Sequence, residues 1–223
     1  MIVTIDGPAG TGKSTVARLL ADRLGFEFLN TGAMYRAVAY ACLQRHLELD
    51  NEQAIGDVAR ILQIQFVNSR LLLDADDVTD AIRGQEVTQS ASIVAANPTV
   101  RARLVELQRD VGRLTNLVTE GRDQGTVVFP KAECKFFLTA SAAERARRRQ
   151  QQLQEKGDFI PVGELIAQQE VRDHRDETRS CSPLRPAPDA LQIDTTEMTL
   201  SEVASYLEQL VLGRRSSFEP DDR

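Results

Sequence analysis

Gly7-Pro8-Ala9-Gly10-Thr11-Gly12-Lys13-Ser14 matches G-x-x-x-x-G-K-[ST] in full, directly after an apolar run and at the opening of a helical pattern. The phosphates of a nucleotide need several N–H donors converging on a small volume. Glycines let the backbone curl around them without Cβ clashes, and a helix beginning near Lys13 adds its N-terminal partial positive charge. Lys13 is expected to neutralise the outer phosphates and the Ser14 hydroxyl to ligate Mg²⁺. The pattern predicts phosphate binding but does not choose between hydrolysis and transfer. Asp6, beside the loop, has two readings: a place in the metal's water shell, or a cap on loop amides.

The arginines separate the possible reactions. A phosphotransferase holds two polyanions in line and stabilises charge spread over the transferred group, whereas a hydrolase needs one nucleotide and a positioned water. A second set of arginines therefore points to an acceptor. Of 27 basic residues only four are lysine (Lys13, Lys131, Lys135, Lys156), although a general bias toward arginine would give the same count. Arg36 lies one turn into a helix that starts near Asn30-Thr31-Gly32, and Arg101 and Arg103 lie in the first turn after Pro98. Arg122-Asp123 follows a strand end, where open α/β sheets bind ligands. Arg145, Arg147, Arg148 and Arg149, then Arg172, Arg175 and Arg179, bracket Gly157 as two basic helices of a lid. Of these, Arg103, Arg147 and Arg148 read rather as a solvated surface.

The elements that must position these groups alternate. Strands are expected at 2–6, 26–29, 116–119, 135–138 and 190–193. Helices are expected at 14–24 (stopped by Gly25), 30–45, 52–62, 86–96, 98–114, 141–155, 162–179 and 200–212. Residues 63–83 alternate in polarity, turn at Asn68-Ser69-Arg70 and predict a small antiparallel insert. Strands and helices at this spacing argue for α/β architecture with a parallel sheet covered on both faces. One domain spanning 1–223 is expected. Its core is 1–62, 98–144 and 180–212, its insert about 63–97, its lid about 145–179 and its loose polar tail 213–223.

Composition removes several classes. A chain of 223 residues with 42% hydrophobic and 27% charged residues has ample material for a packed core and is not intrinsically disordered. A net charge of −6 argues against nucleic acid as partner. No apolar run is long enough for a membrane span and the N-terminus has no signal-peptide pattern, so a cytoplasmic location is expected. Three widely spaced cysteines make neither a disulfide framework nor a metal motif, and Cys42 reads as core.

Six segments together resemble the bacterial cytidylate (CMP/dCMP) kinases of the nucleoside monophosphate kinase family. They are VTIDGPAGTGKST (3–15), TGAMYR (31–36), IRGQEVTQSASIVAANPTVR (82–101), EGRDQGTVVFP (120–130), ERARRRQQQLQEKG (144–157) and RDHRDETRSCSPLRPAPDALQIDTT (172–196). The resemblance implies a P-loop NTPase-type core, nucleoside monophosphate kinase-like, with an NMP-binding insert and a helical lid that lacks zinc. It implies transfer of the γ-phosphoryl group of ATP to CMP or dCMP, with Mg²⁺ as cofactor, by a monomer. Gly7, Pro8, Ala9, Gly10, Thr11, Gly12, Lys13, Ser14 and Thr15 would bind ATP. Thr31, Arg36 and Arg122 would meet the acceptor phosphate, Ser92, Arg101 and Asp123 the cytosine and its surroundings, and Asp176 and Arg179 the sugar. Lys13, Arg145 and Arg149 would act on the transferred group. A carboxylate beside an arginine suits the donor–acceptor edge of cytosine. Thr31 stands where serine is frequent, and Glu120 and Asn30 where aspartate is.

Overall fold

A computed structural model describes residues 1–67, 70–155 and 157–216. The chain opens with β1 (Ile2–Asp6), α1 (Lys13–Leu24), β2 (Glu27–Asn30), α2 (Thr31–Gln44) and α3 (Glu52–Ile61). The short strands β3 (Ile64–Val67), β4 (Arg70–Leu73) and β5 (Asp76–Asp77) come next, then a 3₁₀ turn (Ala81–Arg83), α4 (Gln85–Val94) and α5 (Pro98–Leu114). β6 (Leu117–Gly121), a π-helical turn (Gln124–Val128), β7 (Cys134–Thr139), α6 (Ala142–Gln154), α7 (Val162–Thr178), β8 (Leu191–Asp194) and α8 (Leu200–Ser216) complete it.

The chain divides into two units. The first comprises Met1–Leu29, Gly112–Thr178 and the chain from Ser182. Its sheet has the order β2-β6-β1-β7-β8, with β1 parallel to both β6 and β7, and β7 parallel to β8. Parallel strands covered on both faces read as continuous apolar runs, and β6 is buried at every position. Val3, Ile5, Val118 and Leu138 of the sheet pack with Val16, Ala17 and Leu20 of α1 and with Val203, Leu207 and Val211 of α8. Gly25 closes α1 in the left-handed conformation (φ 66°), as its place after the apolar stripe predicts. A smaller cluster of Ala146, Leu153 and Leu165 joins α6 to α7.

The second unit is Asn30–Val111 with Arg179–Cys181, broader than the 63–97 segment read as an insert. Within it α2 packs against α3, α4 and the 3₁₀ turn, burying Met34, Val38 and Cys42 along one face. β3, β4 and β5 form an antiparallel sheet in which Ile64 faces Leu73 and Leu72 faces Asp77.

Two expectations need correction and two lie partly out of view. The tail does not begin at 213: α8 continues through Ser216, because Gly213 is followed by Arg214 and Arg215, favourable charges for a helix C-terminus. Residues 217–223 lie outside the described residues. Of the turn at Asn68-Ser69-Arg70, Asn68 and Ser69 lie outside them too, and Arg70 is the first residue of β4. The π-helical turn at Gln124–Val128 has no counterpart in the helix or strand patterns read from the sequence.

Candidate active site

The loop between β1 and α1 is shaped by three glycines with positive φ: Gly7 at 144°, Gly10 at 82° and Gly12 at 88°. Gly7 shows the packing reason most clearly, since a Cβ there would lie 2.1 Å from the carbonyl oxygen of Leu138. Lys13 is buried and bends back over its own loop, donating to the Pro8 carbonyl at 2.5 Å and to Thr11 Oγ1 at 3.3 Å. Burial, and then the neighbouring positive charge of Arg122, lowers Lys13 to a pKa of about 7, with Glu120 opposing the shift. An ammonium so weakly held in its charged form gains most from an arriving polyanion.

Ser14 Oγ donates to Glu120 Oε1 at 2.8 Å, so the hydroxyl of the loop and the β6 carboxylate share one locus. The amides that Asp6 caps are not those of its own loop. Its carboxylate accepts the N–H groups of Gln124 (2.9 Å) and Gly125 (2.8 Å), holding the π-helical turn against the end of β1. Burial outweighs those two bonds and raises Asp6 to about 6.

The loop is also held by α6 and α7. Arg145 Nη1 donates to the Ala9 carbonyl at 2.9 Å and to Asp173 Oδ2, while Asp173 Oδ1 accepts the Ala9 N–H at 2.9 Å. Both faces of one loop residue are thus bonded to the arginine–aspartate pair. The buried Nε of Arg145 has no hydrogen-bond partner among the described residues, so the side chain keeps donor capacity. Arg149 is half-buried, and desolvation pulls its pKa down against the pull of Asp158. Arg122, at the end of β6, donates through Nε to Asp176 Oδ2 at 2.8 Å and through Nη1 to the Gly121 carbonyl at 3.1 Å. Asp123 beside it is buried. The first unit therefore gathers Lys13, Ser14, Arg122, Arg145 and Asp176 at the carboxyl ends of parallel strands and on the helices after them.

The second unit carries the rest. Asn30 caps α2 by accepting the Ala33 N–H at 2.9 Å, which starts the helix at Thr31, buried, with Arg36 one turn on. Arg101 is 2% exposed, donates to the Ala95 carbonyl at 3.2 Å and lies 5.6 Å from the centre of the Tyr35 ring. A guanidinium buried so fully is a costly feature that surface solvation does not explain. Ser92 is buried on α4 and donates to the Gln89 carbonyl at 3.0 Å, and Arg179 lies just past the end of α7.

Comparison with known proteins fits this arrangement. The family model for cytidylate kinase matches residues 3–212. The chain belongs to the cytidylate kinase family. It is 48% identical over 208 residues to the cytidylate kinase of Shewanella denitrificans, covering 91% of this chain and 92% of that one. It is 50% identical over 216 residues to a bifunctional pantoate ligase/cytidylate kinase of a Synechococcus species, covering 94% of this chain but 40% of that longer protein. Among solved structures, an uncharacterized protein from Eubacterium ventriosum shares the fold at TM-score 0.50 and 13% identity, over 97% of this chain and 98% of that one.

The sequence reading misses two residues that hold the loop after β1. Asp173 precedes Asp176 by three positions, which places both carboxylates on one face of α7, a signal available from the spacing alone. Arg148 reads from the sequence as a solvated position, yet its side chain is 14% exposed and bonded to the Thr11 carbonyl. Arg147 does match the solvated reading: it is exposed and pairs with Glu144. No helix among the described residues is long and apolar enough to cross a membrane.

Proposed function

We propose that this chain transfers the γ-phosphoryl group of ATP to CMP or dCMP, giving ADP and CDP or dCDP. The observation that carries the reading is the loop after β1, with Lys13 buried near Glu120 and Arg122 and the Ser14 hydroxyl bonded to Glu120, in a chain that matches the cytidylate kinase family from residue 3 to 212.

In this reading residues 7–15 bind the ATP phosphates, and Thr31, Arg36 and Arg122 bind the phosphate of the acceptor. Ser92, Arg101 and Asp123 surround cytosine, and Asp176 and Arg179 meet the sugar. An acceptor oxygen, already ionised at neutral pH, attacks the γ-phosphorus. The bond from that phosphorus to the bridging oxygen breaks, and its electron pair leaves with ADP. Lys13, Arg145 and Arg149 oppose the negative charge spread over the transferred group, the effect worth most in such reactions. No general base is required, which agrees with a site rich in guanidinium groups. α6 and α7 act as the lid, and the monomer is the working form.

Family membership implies a divalent metal with ATP, and Mg²⁺ is the ion we assign. Ser14 and Glu120 fit it: a hydroxyl and a carboxylate 2.8 Å apart are hard oxygen ligands, and Mg²⁺ takes few protein ligands when phosphates and water supply the others. These two residues would hold it, and it would neutralise charge on the donor phosphates. We place the enzyme in the cytoplasm.

A coupled assay of ADP release across CMP, dCMP, UMP and AMP tests the reading. CMP and dCMP should be used far better than the others. Preference for UMP would reassign the acceptor, and nucleotide hydrolysis independent of any acceptor would overturn the reading altogether.

A further inference from the structure

Arg148 satisfies five acceptors at once. Its Nε donates to Glu144 Oε1 at 2.8 Å. Its Nη1 donates to the Thr11 carbonyl at 3.3 Å and Thr195 Oγ1 at 3.1 Å, and its Nη2 to the carbonyls of Thr195 at 2.6 Å and Met198 at 3.2 Å. A guanidinium has five N–H groups. Arg148 therefore has none left for a phosphate, unlike Arg145, whose Nε is unbonded among the described residues.

The groups that Arg148 holds explain the expenditure. Thr195 is fully buried just past β8, bonded through its N–H and its hydroxyl to the Thr139 carbonyl at the end of β7. The Thr11 carbonyl belongs to the peptide whose N–H is that of Gly12. In a planar trans peptide the carbonyl and the N–H point in opposite directions. Fixing the Thr11 oxygen toward Arg148 fixes the Gly12 N–H away from it. Gly12 has φ 88° and caps α1, a conformation in which the peptide plane has freedom that other residues lack. The Ala9 carbonyl, held by Arg145, sets the Gly10 N–H in the same manner.

We propose that Arg148 is a positioning residue for the donor phosphates: by anchoring the Thr11 carbonyl to the β8 end of the sheet, it aims the Gly12 N–H into the phosphate cradle. The proposal rests on the reading of residues 7–15 as the donor site. It assigns Arg148 no contact with either substrate and no effect on acceptor binding.

Kinetics of Arg148→Ala and Arg148→Lys, with calorimetric binding of inorganic tripolyphosphate, test it. Tripolyphosphate reports the cradle without base or sugar. Arg148→Ala should raise the KM for ATP and the Kd for tripolyphosphate by about tenfold or more, with the KM for CMP within twofold of the parent. Lysine keeps the charge but has three donors in another geometry, so Arg148→Lys should recover only part of the loss. Equal rises in the ATP and CMP constants, or no rise in either, would overturn the proposal. If Arg148→Ala does not fold, Arg148→Lys carries the test, and a tripolyphosphate Kd within twofold of the parent refutes it. Should the unaltered protein fail to phosphorylate CMP while tripolyphosphate binding still depends on Arg148, the functional reading fails and this inference stands.

Discussion

Arg122 and Asp176 form a buried ion pair, with Nε to Oδ2 at 2.8 Å and side chains 16% and 6% exposed. Burial works against the Arg122 charge, but the carboxylate, by its charge and its hydrogen bond, more than offsets it. Two residues assigned separately, one to the acceptor phosphate and one to the sugar, thus hold each other before any substrate arrives. Removing either leaves an uncompensated buried charge, and that is the costly event, more than the loss of the pair itself.

The first prediction concerns that coupling. Arg122→Ala and Asp176→Ala should each raise the KM for CMP. Arg122→Ala should leave the KM for ATP nearly intact. The double variant should lose less kcat/KM for CMP than the two single losses combined, with a coupling of about 1–3 kcal/mol. Strict additivity in a double-mutant cycle would mean that the two side chains act on CMP independently.

The second prediction uses the depressed pKa of Lys13. With a value of about 7 in the ligand-free protein, Lys13 is largely neutral at pH 8. Donor phosphates favour its charged form, so binding at pH 8 must draw in a proton. Calorimetry of ADP binding in buffers of different ionisation enthalpy should show that uptake, and affinity should fall as pH rises above about 7. Lys13→Ala should abolish the uptake and lower kcat at least a hundredfold, since its charge is needed as the phosphoryl group departs. An unchanged proton count in that variant would assign the uptake elsewhere.

Most of the framework around these groups is readable in the sequence. The Gly25 stop, the Asn30 cap and the Pro98 start put α1, α2 and α5 within a residue or so of where they lie, because each rests on a local chain signal. The glycine–lysine loop is placed for the same reason. Arg148 and Asp173 are not, because their partners, Thr11 and Ala9, are 137 and 164 residues away in sequence; the spacing of Asp173 and Asp176 puts both on one face of α7 but does not name Ala9 as a partner. Asp6 eludes the sequence similarly: its two N–H donors belong to a π-helical turn more than a hundred residues on, whose backbone has no periodic signature. Local chemistry is written in neighbours along the chain. The groups that aim a loop are written in tertiary contacts.

The third prediction contrasts two glycines with positive φ. A methyl at Gly7 (φ 144°) meets backbone, the Leu138 carbonyl, which is part of β7 and cannot yield cheaply. Gly7→Ala should lower stability by about 2–4 kcal/mol and abolish ADP binding. At Gly157 (φ 85°) a Cβ meets nothing within 4 Å, so Gly157→Ala should cost only the left-handed strain, about 1–2 kcal/mol. Thermal melting of the two variants separates close approach from backbone strain. Equal losses would remove the Leu138 contact as the cause.

The fourth prediction is a pH dependence of stability from Asp6. Its pKa of about 6 in the folded protein lies above the ordinary 3.8 of the unfolded chain, so between those values the folded state holds the extra proton. Stability on this account declines as pH rises from about 4 through about 6, by up to about 3 kcal/mol, because above that range a charged carboxylate must be kept in a dry site. Asp6→Asn cannot ionise and so lacks this decline, although it offers one oxygen acceptor to two N–H groups and is destabilised at every pH. The deficit of Asp6→Asn relative to the parent, measured by chemical unfolding, should therefore be larger at pH 4 than at pH 7. A deficit that stays constant or grows with pH would show that the amide bonds of Gln124 and Gly125, and not burial, dominate the energetics of this carboxylate.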